Sequence, residues 1–192
     1  MTPDVWASGA NFFAFFITAW KSVEQRIPPG SLCRKRLVRY NLWMNLRVKG
    51  GAYGCMSGFK RNGESYLVSY RDPHLKRTLD VYKGIPDYIR NFQADEREMT
   101  KYIIGTISGK DVPRTPQMKG SVSKTAYFCG VTEEMLQKER DQILNASAED
   151  IHALAEIIEA VLAADQICVV GSESKVAEAS DVLMEVKPLI NC

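Results

Sequence analysis

One stretch commits the middle of this chain to an antiparallel hairpin: FKRNGESYLVSY, residues 59–70. Asn62-Gly63 tolerates the left-handed backbone that a tight hairpin turn requires, and it separates two strand-like runs, so those runs must pair with each other. Upstream, residues 41–49 alternate. Leu42, Met44, Leu46 and Val48 fall on one face, and Trp43, Asn45, Arg47 and Lys49 on the other, which predicts a strand. The glycines of AYGCMSGFK suit a continuing strand with a bulge or a close backbone approach. Three consecutive strands are therefore expected over residues 41–70.

Beyond residue 70 the period becomes helical. Asp72 suits an N-cap and Pro73 a first helical position, with Leu75, Leu79 and Tyr82 as the inward stripe and Pro86 as a break. ADEREMTKYIIGTISG predicts a helix with acidic residues in its first turn, and TPQMKG reads as a loop. Thr132 is expected to cap the next helix, and Ser147 with Asp150 forms a capping-box pattern. QICVVG reads as a short buried strand, Ser172 as a cap, and LMEVK as a closing strand. Strands, then helices, then strands again predict an α+β fold, an antiparallel-rich sheet packed against several helices.

Composition narrows the function classes. With 192 residues, 45% hydrophobic and 25% charged, the chain is ordinary for one globular domain. A net charge of +2 gives no field that would draw nucleic acid or a membrane surface. NFFAFFITAW, residues 11–20, is too short for the roughly 20 apolar residues of a membrane span and lacks a basic leader. Five scattered cysteines with no C-x-x-C pair lead us to expect a reducing compartment, cytoplasm or organelle matrix, rather than secretion. Residues 1–40 are irregular and hold a basic cluster, Arg34, Lys35, Arg36 and Arg39. A solvated face is the simpler reading of that cluster, and polyanion binding the sharper one.

Metal chemistry finds few donors. There are two histidines, His74 and His152, and neither belongs to H-x-x-E-H or H-E-x-x-H. GTISGKD, residues 105–111, imitates a phosphate loop but is better read as a helix end, and VVGSES as a plain strand-to-helix turn. LRVKGGAYG, residues 46–54, carries more. Its glycines and Arg47 have an ordinary account as a bulge and a solvent-facing charge. Equally, Arg47 and Tyr53 place hydrogen-bond donors beside an unobstructed backbone, as a grip on a peptide carbonyl or its oxyanion requires.

LRVKGGAYG, SYRDPHLKRTLDVYKGIPDYI, TKYIIGTI and GVTEEMLQKERDQIL, in that order, closely resemble the C-terminal part of the presequence protease subfamily. That subfamily belongs to the pitrilysin/insulinase class of inverted-motif zinc metallopeptidases. The resemblance implies four homologous α+β domains in two halves that close around a chamber. It also implies a first domain carrying H-x-x-E-H and zinc, and a last domain whose arginine and tyrosine reach the bound peptide. Those fall here on Arg47 and Tyr53, with Gly50, Gly51 and Ala52 as the substrate-binding loop. Residues 41–192 are then expected to be the family's domain and residues 1–40 an atypical segment. The implied role is the substrate-binding part of a zinc endopeptidase acting on short unfolded peptides. This chain would supply no metal ligand; zinc would come from a zinc-bearing N-terminal half, on the same or a separate chain. A non-catalytic scaffold subunit is the alternative.

Overall fold

A computed structural model describes residues 6–7, 14–19, 31–59 and 65–188, and the side chains of 37–59 and 65–188. In chain order the elements are β1 (Trp6–Ala7), β2 (Ala14–Ala19), α1 (Ser31–Leu42), a π-helical turn (Trp43–Val48), β3 (Gly54–Phe59) and β4 (Ser65–Tyr70). Then come α2 (Leu75–Lys83), α3 (Ile85–Arg90), α4 (Glu96–Ile107), α5 (Pro116–Phe128), α6 (Glu133–Leu144), α7 (Ala148–His152) and α8 (Ala155–Leu162). β5 (Ile167–Gly171), α9 (Glu173–Ala177), a 3-10 turn (Ser180–Val182) and β6 (Lys187–Pro188) complete the described chain.

The strands form one sheet in the order β3-β4-β2-β5-β1-β6. β3 and β4 pair antiparallel from Gly54↔Tyr70 to Phe59↔Ser65, as the hairpin reading requires; its Asn62-Gly63 turn lies outside the described residues. β2 runs antiparallel to both β4 and β5, whereas β1 is parallel to β5 and β6. The aromatic run near the N-terminus thus supplies an interior strand, and α1 runs across residue 40.

Two sequence expectations are corrected. Residues 41–49 are not a strand: α1 continues through Leu42 and passes into the π-helical turn. The burial shows why. Val38, Leu42 and Leu46 are buried at a spacing of four, a helical face, while Val48, which alternation had placed inward, is 59% exposed. Three strands over residues 41–70 therefore become two. TPQMKG is not a loop either, because it opens α5. The Thr115 hydroxyl accepts the Met118 N–H at 3.3 Å, and Pro116 occupies the first turn, where its missing donor costs nothing.

Other boundaries shift less. α2 starts at Leu75 with His74 as its N-cap, two residues later than expected, and the closing strand is only Lys187–Pro188. Thr132 caps α6 as expected, and Ser147 with Asp150 makes the reciprocal capping box. Ser172 holds the N-cap position of α9 without a side-chain cap bond.

The core lies between the sheet and α1, α3, α7 and α8. Leu37, Leu42, Leu46, Leu67, Tyr82, Ile85, Ile89, Ile151 and Ile158 are its buried centre. α4 and α6 pack on each other at the periphery, where Lys110 meets Glu139 at 2.6 Å and Arg140 Nη2 donates to Asp111 Oδ2 at 2.8 Å. Lys110, the cation of the phosphate-loop look-alike, is thereby engaged in an ion pair, and Arg140 holds the Asp111 carboxyl below its usual range. α5 buries none of its side chains.

Candidate functional site at the helix-to-strand turn

The path from Arg47 to Tyr53 is set by how the π-helical turn stops. Gly51 takes the left-handed conformation, φ 78°, and the chain folds back over the last turn. There the Gly51 N–H donates to the Arg47 carbonyl at 3.1 Å, and the Ala52 N–H to the Leu46 carbonyl at 2.9 Å. Gly50 is required for a different reason. A Cβ there would stand 2.4 Å from the Leu46 carbonyl oxygen, backbone that has no room to yield. Arg47 and Tyr53 thus flank a tight stop made of two glycines and the buried Ala52.

Both side chains are exposed, and each lies against its own neighbours. The Arg47 guanidinium carbon stands 4.1 Å from the centroid of the Trp43 ring, one helical turn back. Stacked this way, a guanidinium keeps its in-plane N–H groups pointing outward as donors. The Tyr53 N–H donates to the Arg71 carbonyl at 3.3 Å. Its ring meets Tyr70 edge-on at 5.3 Å, and the Arg71 guanidinium carbon lies 5.1 Å from its centroid. Tyr53 is 56% exposed, so its phenol can reach a bound molecule.

Below the turn is a buried polar cluster. Asp72, 2% exposed, accepts hydrogen bonds from the Ser69 hydroxyl at 2.7 Å, the Thr78 hydroxyl at 2.6 Å and the His74 N–H at 3.0 Å. The Tyr82 hydroxyl is buried nearby without a hydrogen-bond partner. Burial pushes its pKa above the tyrosine range. Burial also pushes the Cys55 thiol up, opposed by the charges of Arg39 and Arg47.

Arg47, Tyr53, Gly50, Gly51 and Ala52 therefore meet at one turn. Trp43, Tyr70, Arg71 and Asp72 join them, and sequence reading had given those four no place in the site. The SYRDP segment signalled only a helix start, because its contacts with Tyr53 cross a span of sequence. A cleft of about 470 Å³ on α3 and α4, lined by Tyr88, Phe92 and Tyr102 among others, includes neither Arg47 nor Tyr53.

The described residues do not fit a zinc site. His152 Nε2 is hydrogen-bonded to the Phe92 carbonyl at 2.7 Å, and among the described residues no cluster of histidine, cysteine and carboxylate side chains suits a metal ion. Among the described residues, no helix is long and apolar enough to cross a membrane.

Comparison with known proteins agrees with this architecture. The crystal structure of pitrilysin superposes with a TM-score of 0.63 at 13% identity, over 99% of this chain and 22% of that one. A peptidase M16 inactive domain from Pseudomonas fluorescens gives 0.62 at 13% identity, over 88% of this chain and 42% of that one. These likenesses establish the fold. In sequence, Protein HypA of Clostridium perfringens is 49% identical over 149 residues, 78% of this chain and 15% of that protein. Presequence protease 1, chloroplastic/mitochondrial, of Arabidopsis thaliana is 41% identical over 121 residues, 62% of this chain and 11% of that protein. The chain thus spans between a tenth and a sixth of these relatives' length. The family described as the PreP C-terminal domain matches residues 28–174, from ahead of α1 through the start of α9, and the chain belongs to that family.

Proposed function

We propose that this chain is the substrate-gripping domain of a zinc endopeptidase of the presequence protease type. Arg47 and Tyr53 donate hydrogen bonds to the backbone carbonyls of an extended, unfolded peptide, and to the oxyanion formed on attack. Zinc and the general base belong to an H-x-x-E-H-bearing half, on the same or another chain. The observation that carries this reading is the turn itself. Two exposed donors stand either side of a turn whose Gly51 backbone is exposed, on a domain whose family match covers residues 28–174. A peptide can approach such a backbone closely, and donors fixed in advance stabilise charge as it develops.

The test is Tyr53→Phe in the complete enzyme, with this domain and the H-x-x-E-H half together and a quenched fluorescent unstructured peptide as substrate. A donor used mainly in the transition state predicts that kcat falls about 10²-fold while peptide affinity changes far less. Unchanged kcat overturns the role. If Arg47→Ala is also without effect but the two parts still assemble, the domain is a scaffold instead.

A further inference from the structure

We propose that Asp72 is a positioning residue for Tyr53, acting through Arg71; this rests on the peptide-gripping reading above. A carboxylate as buried as Asp72 is costly unless its oxygens are saturated by donors, and here three donors converge on it. They come from the last turn of chain in β4 (Ser69), from the N-cap of α2 (His74) and from its first turn (Thr78). The single carboxylate therefore clamps strand end to helix start.

What lies inside that clamp is Arg71, with φ 49°, a left-handed backbone that a non-glycine residue adopts only when its surroundings impose it. In that conformation Arg71 sets Tyr53 twice. Its carbonyl receives the Tyr53 N–H, and its guanidinium lies over the Tyr53 ring. Tyr70, the residue before it, supplies the edge-on contact to the same ring. The Tyr53 N–H, ring edge and ring face are thus met by Tyr70 and Arg71, which lie between Ser69 and Asp72, the hydrogen-bonded pair that closes the clamp. An Asp72 needed only to start α2 would have no bearing on Tyr53, and that difference is measurable.

The first readout needs no substrate. In the 192-residue chain with 13C-labelled tyrosine, the Tyr53 ring signal is assigned by its loss in Tyr53→Phe. In Asp72→Asn it is expected to move toward the position of a free tyrosine, while the signals of Tyr88 and Tyr102, on α3 and α4, stay in place. Thr78→Val removes one donor and keeps the side-chain shape, so it serves if Asp72→Asn does not fold. It should move the Tyr53 signal as well, and Thr78→Ser, which restores the hydroxyl, should return it. A Tyr53 signal that stays fixed in folded Asp72→Asn or Thr78→Val overturns the proposal.

The second readout is kcat of the complete enzyme on the quenched fluorescent peptide. Asp72→Asn is expected to lower kcat about tenfold in the wild-type background and less than about twofold in Tyr53→Phe, the non-additivity of residues acting as one unit. Equal losses in both backgrounds overturn positioning. If Tyr53→Phe alone leaves kcat unchanged, the peptide-gripping reading fails, and the ring signal alone decides whether Asp72 positions Tyr53.

Discussion

Gly51 is the residue on which the candidate site turns, because its φ of 78° lets the chain reverse between Arg47 and Tyr53. An L side chain in that conformation presses its Cβ against the following carbonyl, at about 1–2 kcal/mol. The nearest group to a Cβ there is the Pro73 ring at 3.7 Å, so the cost is conformational and not a collision. Gly51→Ala is therefore expected to destabilise the chain by about 1–2 kcal/mol, read as a lower urea midpoint at unchanged slope. An unchanged midpoint would mean the turn is not left-handed. The same residue shows what sequence can and cannot reveal at this scale. A Gly-Gly pair announces an unusual backbone, so Arg47 and Tyr53 stood out at once. Arg71 and Asp72 did not, because a carbonyl that receives an N–H from a residue 18 positions earlier leaves no local mark.

Elements were legible where a cap or a turn names them and opaque where only apolar periodicity speaks. Thr132 and the Ser147–Asp150 box fixed their helix starts because the chemistry of a helix N-terminus is local. The run of residues 41–49 is ambiguous in sequence because a short window in which every second residue is apolar also contains the i, i+4 pair Leu42 and Leu46. Tertiary burial decides between the two, and the stripe beginning at Val38 shows which face was meant. α5 poses the opposite case, a capped helix with no core to cover. Its Val122 is 41% exposed, whereas Ile158 of α8 is fully buried. Val122→Lys is expected to change the unfolding free energy of this chain by no more than about 0.5 kcal/mol. Ile158→Ala should cost about 2–5 kcal/mol. Thermal melts of the two variants side by side check the contrast, and a large loss from Val122→Lys would show that α5 is packed after all.

At the scale of the whole molecule, the sheet order turns on β2, which lies inside the apolar run of residues 11–20. β2 lies between β4 and β5, paired with β4 from Ala14↔Tyr70 to Ala19↔Ser65 and with β5 from Ala14↔Val170 to Ile17↔Ile167. The sheet is continuous only through β2; without it the β3–β4 hairpin and the C-terminal strands are separate pieces, and β4 exposes a row of unpaired backbone groups. A two-stranded hairpin is marginal in water, and Ser69, at the foot of the candidate site, lies in β4 opposite Phe15 of β2. The consequence for a chain shortened to residues 31–192 is specific. It keeps α1 and every residue proposed to grip peptide, yet it is expected to lose cooperative unfolding and to aggregate through β4. Asp72, clamped to Ser69, would lose its anchor in the same step, so the Tyr53 ring signal should collapse along with the melt. A shortened chain that retained the full-length midpoint and slope in urea, with the Tyr53 signal in place, would show that β2 is not an interior strand.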